Sequence, residues 1–273
     1  MFFRKEVVSM KIGFIGCGNM ASAMMGGIVK NQICSPEEIT VHDLLPAAVE
    51  RVQGTYGVTP ASSNQAVVEQ SQIIVLAVKP QFYEDVIREI APSVQEQQII
   101  VTIAPGKTLA WLAETFGKDL PIVRTMPNTP AMVGEGITAV CPNENVAPEM
   151  LDSVLKMLGG FGKAEVIPER LMDAVVAVSG SSPAYIFMLI EAMADAAVAE
   201  GMPRQQAYTF ASQAVLGSAK MVLETGKHPG ELKDMVCSPA GTTIEAVQVL
   251  EETGFRSSVM QAMRVCAKKS RSM

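Results

Sequence analysis

A chain of 273 residues with 48% hydrophobic and 18% charged residues can fill about two domain cores and is too apolar to remain disordered. Its net charge is −6 and no Lys/Arg run precedes Lys268-Lys269, which argues against nucleic acid or an anionic membrane as principal partner. Five cysteines without C-x-x-C spacing and only two histidines, His42 and His228, argue against a zinc site or a disulfide framework and point to a reducing cytoplasm.

Residues 1–9 contain Phe2-Phe3-Arg4-Lys5 but no apolar core of signal-peptide length, so they are expected to be an extension ahead of Met10. An apolar strand over 11–15 then runs into Gly16-Cys17-Gly18-Asn19-Met20-Ala21, a G-x-G-x-x-A turn that opens a helical pattern. Glycines there permit a tight turn and close backbone approach to a pyrophosphate at the helix start. A glycine-rich strand–helix turn without a ligand would look the same. Gly26-Gly27, further along, allow the helix to pack closely on the sheet.

Further strands are expected at 38–42, 73–78, 99–103, 121–125, 136–140 and 164–167. Helices are expected near 19–31, 46–56, 64–70, 81–92, 107–116 and 148–160. This alternation predicts an α/β Rossmann-type domain over 10–167, a parallel doubly wound sheet whose ligand lies beyond the strand carboxyl ends. Ala77-Val78-Lys79-Pro80, Ile103-Ala104-Pro105-Gly106 and Met126-Pro127-Asn128-Thr129-Pro130 therefore become site candidates, although proline and glycine also punctuate ordinary strand ends. The second strand ends in Asp43, where a carboxylate commonly takes a ribose 2′-OH and repels a 2′-phosphate, favouring NADH. Asp43 is equally suited to capping the helix that begins near Pro46. The nearest cation in sequence is Arg51.

From Pro168 onward the strand pattern nearly vanishes, and helices are expected at 170–178, 183–200, 203–225, 229–236, 243–253 and 255–270. Residues 168–273 thus read as a C-terminal all-α domain. Ala184 to Ile190 is apolar around the whole helix, and about a hundred helical residues give it little cover, so an intertwined homodimer is expected. The long uncharged run Ala174–Ile190 is interrupted by Ser179-Gly180-Ser181-Ser182-Pro183, which argues against a membrane span. Near the end, Ser238-Pro239-Ala240-Gly241-Thr242-Thr243 stands just ahead of a helical pattern. Orphan N–H groups at a helix start suit a carboxylate or phosphate, while a simply capped helix accounts for the same residues.

The chain resembles the pyrroline-5-carboxylate reductases from Met10 to its C-terminus. The resemblance is carried by I-G-C-G-N-M-A at 15–21, L-A-V-K-P at 76–80, R-T-M-P-N-T-P at 124–130, S-G-S-S-P-A-Y at 179–185 and H-P-G-E-L-K-D-M-V-C-S-P-A-G-T-T at 228–243. It implies NAD(P)H-dependent reduction of the cyclic imine of 1-pyrroline-5-carboxylate to L-proline, with NADPH the family's common cofactor and NADH left open by Asp43. It further implies that Ile15, Gly16, Cys17, Gly18, Asn19 and Met20 hold the pyrophosphate. Asn64, Ala77, Val78, Lys79, Pro80, Ile103, Ala104 and Pro105 match the other cofactor contacts.

Ser238, Gly241, Thr242 and Thr243 match the substrate loop, with amides on the carboxylate and the Thr243 hydroxyl toward the ring nitrogen. Thr243 is the one catalytic side chain implied, and no metal is. The family also implies the dimeric helical domain and a further assembly of five dimers into a decamer. Two departures are visible: Ala240 where the family often has glycine, and Pro105 where it has alanine. A 3-hydroxyacid dehydrogenase using Lys220 or Lys233, and a dinucleotide sensor without activity, are the rival readings; both leave S-P-A-G-T-T without a role.

Overall fold

The computed structural model describes residues 10–272, so the expected 1–9 extension lies outside the described residues. The chain divides into two compact units: one extends to Gly180 and takes back the C-terminal residues from Ala267, and the other is Ser181–Cys266.

Among the described residues of the first unit, eight strands form one sheet: β1 (Ile12–Ile15), β2 (Ile39–His42), β3 (Thr59–Pro60), β4 (Ile73–Leu76), β5 (Ile99–Thr102), β6 (Ile122–Met126), β7 (Gly136–Pro142) and β8 (Gly162–Val166). Their order is β3-β2-β1-β4-β5-β6-β7-β8. Continuous apolar runs such as Ile73-Ile74-Val75-Leu76, buried at every position, are what a sheet covered on both faces requires. Helices α1 (Asn19–Lys30), α2 (Pro46–Tyr56), α3 (Asn64–Gln70), α4 (Tyr83–Ile90), α5 (Leu109–Phe116) and α6 (Pro148–Gly159) supply that cover. One core joins Phe14, Met24, Ile28, Val41 and Phe161; the other joins Ile15, Val68, Leu76, Tyr83 and Leu112.

Three expectations for this unit need correction. The sheet is not wholly parallel, because β7 runs antiparallel to β6. Only a short 3-10 turn, Thr129–Val133, joins them, and a parallel return needs a crossover of about a dozen residues or more. The two-residue strand β3 is also present; it is too short to leave a periodic signal. Gly26 and Gly27 do not face the sheet alone: a Cβ at Gly27 would collide with Gly160 O at 2.7 Å, and one at Gly26 would press on the Tyr56 ring at 3.1 Å.

The expected helix 170–178 is a composite. A 3-10 turn Glu169–Leu171 leads into α7 (Met172–Val175) and then a π-turn, Val176–Gly180. Ser179 and Gly180 are therefore helical, and the run is interrupted one residue later, at the Ser181 bend ahead of Ser182. By length and hydropathy, the stretch Glu169–Ala199 is apolar enough to cross a membrane.

The second unit contains α8 (Ser182–Ala199), α9 (Arg204–Thr225), α10 (Pro229–Val236), α11 (Thr242–Glu252) and most of α12 (Phe255–Arg271). Helices α8 and α9 pack on each other. Pro183 sits in the first turn of α8, and Gly226 ends α9 in the left-handed conformation. Burial on all sides is not met within one chain. Phe187 is 63% and Met188 68% exposed on α8, and Phe210 and Leu223 on α9 are exposed to a similar degree.

Candidate active site

The strand order reverses between β1 and β4, the place where an open α/β sheet leaves a crevice at its carboxyl ends. The sequence puts its candidate residues on four neighbouring strand ends: Asp43 after β2, the glycine turn after β1, Ala77–Pro80 after β4 and Ile103–Pro105 after β5. The backbone explains the glycines. Gly16 has φ +103°, and a Cβ there would lie 2.7 Å from Ala77 O, so only glycine fits between the two strand ends. Gly18, by contrast, has an ordinary φ of −68° and nothing within 4 Å of where a Cβ would project. Neither strain nor crowding within the protein demands glycine there. An open cradle over the exposed Gly18-Asn19 start of α1 fits a pyrophosphate, because that helix start presents orphan N–H groups.

Around the turn, polar groups are tightly engaged. Cys17 N donates to Asp43 Oδ2 at 2.7 Å, and Leu45 N donates to Asp43 Oδ1 at 2.9 Å. Asp43 is therefore no cap for α2, whose N-cap is Leu45 with no side-chain bond. Arg51, from α2, donates from Nη2 to Cys17 O at 2.7 Å. Burial, and then the Asp43 charge, push the Cys17 thiol up to about 12, with Arg51 acting in the opposite direction. At neutral pH this thiol is protonated and serves packing.

Asn64 opens α3 and is buried. Its Oδ1 pairs with His42 Nδ1 at 2.8 Å, and its Nδ2 donates to Glu89 Oε2 at 2.8 Å, so both ends of the carboxamide are fixed. Sequence reasoning gave no role to His42 or Glu89 and marked Arg51 only as the nearest cation to Asp43. Glu89 carries no local signal at all, since only the fold brings α4 to α3. The ends of β4 and β5 are stapled by Tyr83, whose hydroxyl donates to Leu76 O at 2.6 Å and accepts from Ile103 N at 3.3 Å. That staple sets the spacing of Ala77–Pro80 against Ile103–Pro105, where Ala104 is buried and Lys79 exposed.

The third strand-end candidate, Met126–Pro130, is structural in large part. Asn128 accepts from Ile137 N at 2.9 Å and donates to Ser179 O at 3.1 Å, leaving its carboxamide engaged on both sides. Arg124, on β6, is buried and paired with Glu169 at 2.7 Å.

In the second unit, Ser238–Gly241 forms a turn closed by Gly241 N donating to Ser238 O at 3.1 Å. Ala240 sits at φ +55°, the left-handed region, which is the physical reason glycine suits that position better. A Cβ at Gly241 would lie 2.2 Å from Ser238 Oγ, so Gly241 contributes room and its amide is already used. Helix α11 starts one residue earlier than expected, at Thr242, with Gly241 as N-cap and no side chain capping it. The N–H groups of Thr242 and Thr243 therefore face a helix start without intrahelical acceptors, and Thr243 is half-buried. Lys220 pairs with Glu224 and Lys233 with Asp234, and neither lysine enters this turn.

A glycine turn at a topological switch point, open where a pyrophosphate would lie, places the chain among the Rossmann-type dinucleotide-binding oxidoreductases. A family model described as pyrroline-5-carboxylate reductase dimerisation matches residues 169–273, and one described as NADP oxidoreductase coenzyme F420-dependent matches residues 11–106. A pyrroline-5-carboxylate reductase of Escherichia coli (strain K12) is 55% identical over 260 residues, covering 95% of this chain and 97% of that one. One from Methanosarcina acetivorans is 44% identical, with 96% of this chain and 97% of that one covered. Among solved structures, a pyrroline-5-carboxylate reductase from Coxiella burnetii superposes with a TM-score of 0.89 at 31% identity, over 97% of this chain and 98% of that one. Pyrroline carboxylate reductase from Plasmodium falciparum, with NADP bound, gives 0.88 at 32% identity, over 96% of this chain and 97% of that one. The chain belongs to the pyrroline-5-carboxylate reductase family.

Proposed function

We propose that this protein reduces 1-pyrroline-5-carboxylate to L-proline with NADPH or NADH, the last step of proline biosynthesis. The observation that carries the reading is the pairing, in one chain, of an open glycine turn at the sheet's switch point with the Ser238–Thr243 turn at the start of α11. A reduced nicotinamide, when bound, supplies hydride to the imine carbon. The rest is positioning. In this reading Ile15–Met20 hold the pyrophosphate, and Asn64, fixed by His42 and Glu89, meets the nucleotide in a single orientation. Ala77–Pro80 and Ile103–Pro105 line the nicotinamide side, where Pro105 brings no N–H.

The amides of Thr242 and Thr243 receive the substrate carboxylate, and Ser238 and Gly241 shape the turn that leaves them free. Thr243 Oγ1 orients the ring nitrogen. The turn contains no His, Asp or Glu, so an imine that arrives protonated reacts best and catalysis rests chiefly on orientation. We assign residues 10–167 to dinucleotide binding and 168–273 to dimerisation and substrate binding. The enzyme works as a cytoplasmic homodimer, assembled further as five dimers. The partner that covers the apolar faces of α8 and α9 is a second copy rather than lipid or nucleic acid, a reading supported by the dimerisation family match over 169–273 and the net charge of −6.

Purified protein mixed with the cyclic imine and either reduced cofactor should consume it, followed at the nicotinamide absorbance. Oxidation of a 3-hydroxyacid with no imine-dependent consumption would overturn the reading. Thr243→Val is expected to lower kcat/KM by at least about tenfold, the scale of one lost polar contact of roughly 1.4 kcal/mol. Cofactor affinity should stay near that of the parent, because Thr243 lies outside the dinucleotide-binding unit. An unchanged rate removes Thr243 from the mechanism.

A further inference from the structure

At two of the three strand pairs that frame the crevice, the backbone ladder continues one bond past the last paired residues. Ile15 faces His42 across β1 and β2, and Gly16 N donates to His42 O at 2.8 Å. Ile15 faces Leu76 across β1 and β4, and Ala77 N donates to Ile15 O at 2.8 Å. Leu76 faces Thr102 across β4 and β5, so the matching bond would run from Ile103 N to Leu76 O. Both atoms bond to Tyr83 instead. Its hydroxyl donates to Leu76 O at 2.6 Å and accepts from Ile103 N at 3.3 Å.

Tyr83 opens α4 directly after the 3-10 turn Pro80–Phe82, and it is fully buried in the core that holds Ile15, Leu76 and Leu112. Burial pushes its phenol above the ordinary range, so at neutral pH the group keeps the proton it donates. The two segments it joins are those that leave the sheet at the crevice. Ala77 is held on its other side by the glycine turn, since a Cβ at Gly16 would lie 2.7 Å from Ala77 O. Ile103–Pro105 is tied to that fixed edge through the hydroxyl.

Resting on the oxidoreductase reading above, we infer that Tyr83 is a positioning residue: its hydroxyl, set in place of a ladder bond, spreads the ends of β4 and β5 and holds Ile103–Pro105 at the distance from Ala77–Pro80 that seats the nicotinamide ring for hydride transfer. Phenylalanine would keep the ring in the core and remove the spacer. Leu76 O and Ile103 N then pair directly or stay unpaired, and either outcome moves Ile103–Pro105. Hydride transfer is sensitive to such a shift, because a misplacement of about 1 Å can cost about a hundredfold in rate.

The test compares Tyr83→Phe with Ser71→Ala in the full chain. Ser71 Oγ donates to Val67 O at 2.6 Å, buried near the amino end of β4, so its loss removes a comparable hydrogen bond away from the crevice. Both variants should unfold at a lower temperature than the parent. Tyr83→Phe should bind ADP and 2′,5′-ADP, fragments that lack the nicotinamide, within about twofold of the parent. Its kcat should fall by about tenfold or more, with KM for the imine within about threefold. The primary isotope effect with cofactor deuterated at nicotinamide C4 should rise, as hydride transfer slows against the other steps. Ser71→Ala should keep the parental kcat and isotope effect. A second measurement needs no variant: in the parent, hydrogen exchange at Ile103 N–H should slow more with bound NADPH or NADH than with the fragments at equal saturation.

Parental kcat and isotope effect in Tyr83→Phe would overturn the inference. Equal losses of kcat in the two variants would reduce Tyr83 to a contribution to stability and overturn it as well. Should Tyr83→Phe fail to bind the fragments, exchange in the parent decides, and equal slowing by cofactor and fragment overturns the role. A parent protein that binds neither cofactor nor fragment would overturn the oxidoreductase reading itself. That outcome is distinct from a parent that binds both beside an unaltered Tyr83→Phe, which removes only the role of Tyr83.

Discussion

Gly18→Val is expected to leave the first unit folded and to abolish useful cofactor binding, with affinity falling by about a hundredfold or more as the pyrophosphate loses its close approach to the backbone. The reasoning rests on the contrast between the two glycines of the turn. Gly18 has an ordinary φ of −68° and open space around its missing Cβ, so a side chain there strains nothing in the protein. Its branched methyls would occupy the cradle instead. Gly16→Ala is the control. Its φ of +103° and the 2.7 Å approach to Ala77 O make an alanine damaging to the fold as well as to binding. Thermal unfolding and nucleotide titration, run on both variants, separate the effects. A Gly18→Val protein that binds NADPH or NADH as well as the parent would mean that the cofactor does not lie over this turn.

The second large effect concerns assembly. Separation of the proposed dimer is expected to remove activity and helical signal together, because one chain leaves too much of its helical unit wet. Phe187 and Met188 on α8, Phe210 and Leu223 on α9 and Val265 on α12 are all more than 60% exposed. Fully burying a side chain of this kind is worth roughly 1.5–3 kcal/mol, so several together exceed the margin by which a small helical domain is stable. Phe187→Asp, which places a charge in that face, should leave soluble material largely dissociated, inactive and poor in helix. Dilution of the parent should reach the same state, with activity and ellipticity falling at one concentration. Sedimentation of a well-folded, active monomer at nanomolar concentration would refute it.

Local sequence determined a good deal of this protein. The periodic apolar runs put most strands and helices within a residue or two of where they lie, because each stretch buries its own face and ends at its own breaker. The glycine turn and the Ser238–Thr243 turn were visible for the same reason: turn chemistry is written in adjacent residues. Where an expectation depended on what lies opposite, the sequence was mute. The antiparallel course of β7 follows from the shortness of its connection to β6 and from a pairing 13 residues away or more, such as Met126 with Ala139 and Arg124 with Cys141.

Asp43 is the sharpest case. Its position after a strand permitted a helix cap or a ribose contact; in the fold Leu45 takes the N-cap position, and Asp43 instead accepts from Cys17 N, 26 residues distant in sequence. Arg51 was known as the nearest cation, but its bond to the Cys17 carbonyl spans 34 residues and exists only once α2 is laid beside β1. Glu89 reaches Asn64 from another helix altogether. Sequence fixes groups that act through neighbours along the chain; the tertiary structure alone decides which charges meet, because electrostatic and hydrogen-bond partners are selected by distance in space.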